Sequence, residues 1–354
     1  MLALTSSQPE CSASQNECPF RVEVYFALAY VLSPVDITPE LAVGVGRLHG
    51  LRSLSLLTMG EEVHSTLTQQ LAQLHKLESL AVDHNSDTGR PLIISPQLTQ
   101  LQQLTTLTLT NTTTDCLLTL RGLSRLQSLD LSQGSYGLPI ECQGLSSLRH
   151  LTLFSVDLVK PMSALSHLGL RVLHVSVHVS VIEGVSHHED AVHRAADLSW
   201  IVSSLTKLTD LFICNRFPDG TDICIPALVR LSRLQSLQLQ WGQHSFRCSS
   251  AWCLLRSLRL AYNCLSCMSA NLTVLTALQE LDVSRQTVNF QVKGPLDFLD
   301  HMPALRVLNL KQMFTSNSGR ADSRHKWGSE SSYYLIEAQQ KLEKAACAEL
   351  SLTY

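Results

Sequence analysis

The sequence contains few aromatic and few charged residues. Aromatic side chains make up 6% of its 354 residues and charged side chains 16%, whereas 45% of the residues are hydrophobic. The core must therefore be aliphatic, and many small leucine layers suit this composition better than one large aromatic core. The 27 Lys and Arg residues nearly balance the 30 Asp and Glu residues, which leaves a net charge of -3 at pH 7. This balance gives no electrostatic footprint for nucleic acid or for an anionic membrane, so we expect neither as a partner.

Long apolar runs are also missing. No run approaches the roughly 20 residues that span a bilayer, so we expect no membrane insertion. The apolar stretch 24–32 follows Glu10 and Glu17 and reaches Pro34 without a cleavage-like pattern, which argues against a secretory signal. The 11 cysteines are odd in number, so at least one thiol is free. Reduced cysteines in a cytoplasmic protein are the simplest interpretation.

A repeated pattern organises the chain. Residues 255–265 read LRSLRLAYNCL, with leucine at relative positions 1, 4, 6 and 11 and asparagine at position 9. In an extended segment Leu258 and Leu260 point to one face, and one unit cannot bury them without a stacked neighbour. The opposite, open face is expected to carry Ser257, Arg259 and Ala261.

The pattern can be counted by the first leucine of each unit. Nine of the ten intervals between these leucines lie inside the range of 20 to 29 residues, and upstream leucines at every third position indicate helical segments between the strands. The first leucines are Leu51, Leu77, Leu104, Leu126, Leu148, Leu170, Leu208, Leu234, Leu255, Leu278 and Leu305.

The asparagine of the pattern is rare. Only Asn85 and Asn263 occupy position 9, where the side-chain amide can satisfy backbone groups that the strand no longer pairs. Without a continuous asparagine ladder, we expect looser turns that depend mainly on the leucine layers. The other repeats carry Met59, Thr112, Gly134, Val156, His178, Arg216, Gly242, Gln286 and Met313 at this position.

These leucine positions resemble the leucine-rich repeat family, and the irregular units of 22 to 27 residues are similar to those of plant and green-algal members. The resemblance implies an α/β solenoid curved as a horseshoe, with parallel strands on the concave face and helices or turns on the convex face. Plant and algal members include F-box substrate receptors and proteins attached to the ciliary axoneme. The resemblance therefore implies a non-catalytic scaffold that binds a protein partner, in the cytoplasm, on the cytoskeleton or at the axoneme.

The flanks of the array have their own composition. Alternation of Val22, Val24 and Phe26 with polar neighbours predicts a first strand that covers the open end of the core. The C-terminal segment is a modest amphipathic helix that either caps the last leucine layer or docks elsewhere. The predicted boundaries are a disordered tail at 1–18, a capping unit at 19–46, the solenoid at 47–314 with an insertion near 176–200, a linker at 315–332 and a C-terminal helix at 333–354.

The open strand face is the candidate binding surface. In the N-terminal half its side chains are small and hydroxylated, such as Ser53, Thr106 and Ser128, whereas the C-terminal half has aromatic residues flanked by Arg and Gln. That second composition is typical of binding hot spots. Alternatively, Trp241 and Phe212 pack internally against the insertion. The predicted partner-binding residues are Phe154, His174, Phe212, Gln240, Trp241, Arg259, Tyr262, Glu280, Asp282 and Arg285.

No nucleophile constellation, phosphate-binding glycine loop or carboxylate pair stands out, so we expect no enzyme and no cofactor. Two groups of residues could instead indicate a metal site. His188 and His193 are five residues apart, whereas a zinc-protease helix needs a spacing of four. A structural zinc site would use Cys248, Cys253, Cys264 and Cys267, of which the last two flank a turn that the repeat already specifies.

Three other functional classes remain as alternatives. The segment Ile37-Thr38-Pro39-Glu40-Leu41 faintly resembles the start of an F-box, which would make the chain a substrate receptor of a ubiquitin ligase. A Cys11–Cys18 pair would resemble the caps of extracellular receptor ectodomains. A GTPase activator is the third class, and no residue of this sequence matches its activity.

Overall fold

The computed structural model describes the strands and the turns that immediately precede them. The described residues are 21–23, 39–58, 69–84, 96–110, 120–132, 144–156, 162–177, 202–215, 228–240, 248–263, 270–286, 301–309 and 351–353. The chain forms two compact units, Met1–Leu170 and Arg171–Tyr354. The tail at 1–18, the insertion from residue 178 to 200 and the linker at 315–332 lie outside the described residues.

The first unit is a stack of parallel strands. Each strand pairs in register with the next, so that Leu54, Leu80, Leu107, Leu129 and Leu151 are successive Cα partners. The strands are β1 (Arg21–Glu23), β2 (Ser53–Thr58), β3 (Ser79–His84), β4 (Thr106–Thr110), β5 (Ser128–Ser132) and β6 (His150–Val156). Helix α1 (Pro39–Gly46) lies between β1 and β2, and short 3₁₀ helices span Pro96–Gln100, Leu120–Gly122 and Met162–His167.

The second unit repeats this arrangement. Leu173, Leu211, Leu237, Leu258, Leu281 and Leu308 are successive Cα partners along its parallel strands. The strands are β7 (Val172–Val177), β8 (Asp210–Asn215), β9 (Ser236–Gln240), β10 (Ser257–Arg259), β11 (Glu280–Asp282), β12 (Val307–Asn309) and β13 (Ser351–Thr353). Two 3₁₀ helices, Ser250–Trp252 and Ala270–Val274, precede β10 and β11.

The first leucine of each repeat lies in the core of its unit. All eleven are buried, with Leu305 the most exposed at 8%, which confirms the repeat count made from the sequence. Strand leucines such as Leu54, Leu129 and Leu258 also face inward, with at most 1% exposure. Since a leucine buried in this way gains roughly 1.5–3 kcal/mol relative to exposure, the layers supply the main stabilisation.

Main-chain hydrogen bonds fix how consecutive repeats join. The carbonyl oxygen of Gln235 accepts from Arg256 N at 2.8 Å and from Ser257 N at 3.0 Å. The same double acceptance recurs at Arg52, Thr105 and Arg171. The register between repeats is therefore set by backbone atoms just before each strand begins.

A buried tryptophan replaces a leucine in one repeat. Trp252 lies three residues before Leu255 and is 0% exposed, and its indole Nε1 donates to the carbonyl oxygen of Leu228 at 3.1 Å. The equivalent positions of the neighbouring repeats are Leu231 and Leu275. An indole fits this apolar site because a main-chain acceptor satisfies its single polar group.

Two amides hold the turns after β10 and β11. The Asn263 amide donates to the carbonyl oxygens of Leu239 at 2.7 Å, Leu260 at 2.8 Å and Ala261 at 3.4 Å. One repeat later the Gln286 amide donates to the carbonyl oxygens of Leu260 at 2.9 Å, Val283 at 3.0 Å and Ser284 at 3.2 Å. The expectation of a looser turn without asparagine is therefore wrong at Gln286, because its longer side chain reaches the equivalent carbonyl oxygens one repeat later. Asn85 lies outside the described residues.

The segments before five strands are 3₁₀ helices, in agreement with the expected helices or turns and with leucines at every third position. Two further expectations need correction. The expected place of Ala261 on the open face is wrong, because β10 ends at Arg259 and Ala261 is only 6% exposed. Residues Ser351–Thr353 form a strand that pairs with β12, so the predicted helix at 333–354 is wrong at its end. Residues 333–350 lie outside the described part.

The predicted first strand is present. Residues Arg21–Glu23 pair in parallel with β2, and Val22 is the Cα partner of Leu54. The main chain of β1 therefore supplies hydrogen-bonding partners for the edge of β2, which supports a capping unit at 19–46 as a proposal.

Candidate protein-binding surface

The open strand face of the second unit consists of two rows of side chains, which alternate with the buried leucines. The first row begins each strand and contains Val172, Asp210, Ser236, Ser257, Glu280 and Val307. The second row lies two residues further and contains His174, Phe212, Gln238, Arg259, Asp282 and Asn309. Arg259 is exposed and the other members are half-buried, so both rows are accessible.

An aromatic pair lies at the start of the second row. His174 and Phe212 are Cα partners, and their ring centroids are 5.8 Å apart at an interplanar angle of 89°. This edge-to-face arrangement is favourable because the positive ring edge meets the negative ring face. Each ring is held in place by the other while part of its surface stays accessible.

A charged cluster lies two strands further along. Glu280 accepts from Arg259 at 3.3 Å and from the Ser257 hydroxyl at 3.1 Å, both at Oε2. About half of each ionic side chain is exposed, 52% for Arg259 and 44% for Glu280. Such an exposed pair contributes less than about 1 kcal/mol to stability, so its rearrangement to meet a partner is inexpensive.

Tyr262 and Arg285 occupy turns and not strands. They hold the same position in successive repeats, with φ angles of 59° and 53° in the left-handed region. The Arg285 guanidinium lies 5.0 Å from the Tyr262 ring centroid and donates to the Tyr262 hydroxyl. The expectation that both belong to the strand face is therefore wrong, since the strands end before them. They border that face at the carboxyl end of β10 and β11.

The remaining predicted residues have different surroundings. Asp282 Oδ1 accepts from Ser284 N at 2.9 Å, so this carboxylate stabilises the turn after β11. Gln240 is half-buried at the end of β9, beside its Cα partner Cys214. Phe154 is half-buried in β6 and belongs to the first unit. Trp241 lies outside the described residues.

The described cysteines do not favour metal chemistry. Burial raises the pKa of the Cys248 thiol to about 12, whereas zinc binds the thiolate. Cys214, Cys248 and Cys253 are free thiols, and Cys264 and Cys267 lie outside the described residues. Across the described ranges, no group of three or more His, Cys, Asp or Glu side chains could hold a metal ion. Within those same ranges, no helix is long and apolar enough to cross a membrane.

Sequence reasoning missed the edge where the strands begin. We define the amino edge as the two residues that flank each first leucine. In the first unit a shallow polar depression of about 330 Å³ lies there, lined by Glu78, Gln103, Thr105, Arg125, Gln127 and Ser147. Comparing the residues on either side of each first leucine would have shown that the amino edge differs in charge between the two units.

Comparison with known proteins gives limited likenesses. A family model described as a protein of unknown function (DUF1232) matches residues 21–48. No curated protein matches the chain. An internalin of Listeria monocytogenes is 20% identical, with a TM-score of 0.47 over 77% of this chain and 75% of that one. A leucine-rich repeat protein of Leptospira interrogans is 17% identical, with a TM-score of 0.29 over 87% and 91%. From its own buried leucines and parallel register, each unit of this chain has the leucine-rich repeat fold.

Proposed function

We propose that this chain is a non-catalytic interaction module that binds a protein partner on the open strand face of its second unit. The observation that carries the proposal is the second row, where the aromatic pair is followed by Gln238 and the exposed Arg259. The corresponding row of the first unit contains Ser55, Ala81, Thr108, Asp130 and Thr152. Since aromatic and arginine side chains dominate binding energies while small hydroxyls contribute little, only the second row has the composition of an anchor.

Different side chains would contribute in different ways. Phe212 would supply apolar contact area at low conformational cost, because the His174 ring already restricts it. Arg259 would exchange its exposed pairing with Glu280 for a carboxylate or carbonyl of the partner. Tyr262 and Arg285 would contact the partner from the border of the face, where their left-handed turns hold them.

The cellular setting is part of the same proposal. Three described cysteines are free, including the exposed Cys253, which is compatible with a reducing compartment. Together with the resemblance to plant and algal proteins, this supports a cytoplasmic scaffold, on the cytoskeleton or at the ciliary axoneme. Recovery of the adaptor subunit of a ubiquitin ligase would instead favour the F-box-like receptor, and glycosylated chains would favour the extracellular ectodomain.

Site-specific photo-crosslinking tests the proposed face. A photoreactive residue replaces Gln238, in the centre of the second row, and in a control chain it replaces Thr276, which is exposed in the turn before β11. In cells of the native organism we expect position 238 to capture a protein that position 276 does not. Capture of the same proteins at both positions would contradict the proposal.

A binding measurement with the captured protein then tests the anchors. We expect Phe212→Ala and Arg259→Ala each to weaken binding by more than about tenfold, as hot-spot residues do. The matched controls are Thr108→Ala and Thr152→Ala, which occupy the same row in the first unit. Equal effects of all four substitutions, or none from the first pair, would overturn the assignment of the face.

A further inference from the structure

The amino edge carries four cations in the first unit and five in the second, and the two sets differ in their hydrogen bonds and ion pairs. In the first unit they are Arg52, Lys76, Arg125 and Arg149, and in the second unit Arg171, Lys207, Arg233, Arg256 and Arg306. Every one of them flanks a first leucine. The two sets can therefore be compared by whether each cation has a hydrogen-bond or ion-pair partner.

In the first unit the chain itself uses its cations. Arg52 pairs with Glu78 at 3.1 Å, and Arg125 donates to Gln103. Arg149 donates to the carbonyl oxygens of Ser146 at 3.1 Å and Leu148 at 2.9 Å, and Lys76 also has an interaction partner. This edge is therefore internally satisfied.

In the second unit all five cations are exposed. Within the described part of the chain, none of their side chains takes part in a hydrogen bond or ion pair. The described acids of this unit, Asp210, Glu280 and Asp282, all belong to the rows of the strand face. Among the described residues, the positive charge on the amino edge of the second unit is therefore uncompensated.

An exposed leucine lies within this charge. Leu254 precedes the first leucine Leu255 and is 49% exposed. In the first unit Ser147 holds the equivalent place before Leu148, which is also followed by an arginine. Leu254 is two residues from Arg256, whose N–H donates at 2.8 Å to the carbonyl oxygen of Gln235, two residues after Arg233, so Leu254 and both arginines lie close together on the amino edge. A large apolar side chain beside two exposed arginines can add apolar contact area to a cationic surface.

We propose that the amino edge of the second unit is a second binding site, which takes an acidic protein segment carrying an apolar residue. Carboxylates pair with Arg233 and Arg256 in the bidentate geometry of the guanidinium, and the apolar residue covers Leu254. A nucleic acid backbone would leave Leu254 without an apolar contact. An anionic bilayer carries negative charge over a wide area, so the acidic residues of the strand face and the net charge of -3 would repel it. A short acidic segment interacts mainly with the nearby cations, because salt screens charges beyond about 10 Å.

The test uses the full chain and a fluorescent synthetic peptide with Asp and Glu on both sides of a central Leu. We expect binding with a dissociation constant below about 1 mM at low ionic strength, weakened by added salt. A neutral peptide with Asn and Gln in place of the acids should not bind. Phosphatidylserine vesicles and single-stranded oligothymidylate serve as the other two probes. Failure of the acidic peptide to bind, or tighter binding of either other probe through the same residues, would overturn the proposal.

The chain offers a closely matched control for the variants. Arg233→Gln with Arg256→Gln removes two unpaired cations in adjacent repeats, and we expect peptide affinity to fall by at least about tenfold. Arg125→Gln with Arg149→Gln removes two cations from the equivalent places of the first unit and changes the net charge equally, so affinity should stay within about twofold. Leu254→Ser introduces the first unit's residue and should weaken binding without altering its salt dependence. Equal losses from both double variants would show that net charge alone attracts the peptide.

Binding at the amino edge and binding at the strand face can be tested independently. Arg259→Ala should leave the acidic peptide bound, because Arg259 lies on the strand face and not on the amino edge. Conversely, Arg233→Gln with Arg256→Gln should leave the protein captured at position 238 bound. Loss of peptide binding in Arg259→Ala would show that the two surfaces form one site, and it would overturn the proposal of a separate site on the amino edge.

Discussion

Gln286 makes the hydrogen bonds of Asn263 one repeat later. Both amides are buried, at 7% and 0% exposure, and each donates to a carbonyl oxygen of the preceding repeat as well as to two of its own. In these two successive repeats, position 9 of the pattern is therefore occupied by a buried primary amide, which glutamine supplies as well as asparagine does. The Leu260 carbonyl oxygen joins the two turns, because it accepts from both amides.

Loss of either amide should destabilise the second unit by a similar amount. Asn263→Ala removes the side-chain donor of the Leu239 and Ala261 carbonyl oxygens, and Gln286→Ala removes that of the Val283 carbonyl oxygen, so we expect a loss of about 1–3 kcal/mol in the free energy of unfolding. Urea denaturation followed by circular dichroism measures this. Exposed Thr276→Ala is the control and should change stability by less than about 0.5 kcal/mol. A Gln286→Ala chain as stable as that control would show that the glutamine amide does not replace the asparagine.

The left-handed turn at Arg285 should reject a β-branched residue. Arg285 is exposed with φ of 53°, so Arg285→Val should lose about 1–2 kcal/mol relative to Arg285→Asn, which tolerates this backbone region. Both variants lose the contact with Tyr262 equally, so their difference reports the backbone. Thermal unfolding of the pair decides the matter, and equal midpoints would argue against a left-handed turn.

Trp252 should be essential for the packing between its neighbouring repeats. Trp252→Leu removes a buried ring and one of the two donors to the Leu228 carbonyl oxygen, which still accepts from Leu231 N, so we expect a loss of about 3 kcal/mol or more. Trp252→Phe keeps much of the volume and should lose less. Leu254→Ala, two residues away but exposed, is the control and should be nearly neutral. Denaturation curves for the three variants that preserved this order would support the packing role, and a neutral Trp252→Leu would contradict it.

Cys248 should make stability depend on pH at alkaline values. Its pKa is raised by burial from 9.0 to about 12, so above pH 9 the unfolded chain loses a proton that the folded chain keeps. The corresponding stability is complete below pH 9 and is lost as pH rises toward 12. Cys248→Ala should flatten the stability profile between these values, and a profile that kept its slope in this variant would contradict the assignment. A similar check is iodoacetamide at pH 8, which should modify Cys253 well before Cys248 in the folded chain.

The leucine spacing was sufficient to predict the repeat architecture, because a period of two within a strand admits one buried face. Leu258 and Leu260 are buried as that period requires. It could not predict Ala261, since the point at which a strand ends depends on the turn that follows. The role of Gln286 could not be predicted because the sequence pattern specifies asparagine. The carbonyl oxygens need only a side-chain amide within hydrogen-bonding distance, which glutamine also provides.

The candidate surface was predicted less completely. His174, Phe212 and Arg259 lie on the strand face as alternation predicts. Tyr262 and Arg285 do not, because alternation applies only while the backbone stays extended. The unpaired state of Arg233 and Arg256 could not be predicted at all, since it depends on which oxygens the folded neighbours present.

The doubled main-chain acceptance at Gln235 has a consequence for variation of this protein. Arg256 N and Ser257 N align the next repeat through main-chain atoms, so the side chains beside Leu255 can vary while the strands keep their register. At their own junctions the hydroxyls of Thr105 and Thr209 add a side-chain donor to this alignment. Through variation of such side chains the same scaffold can acquire new ligands along its margin without a new fold.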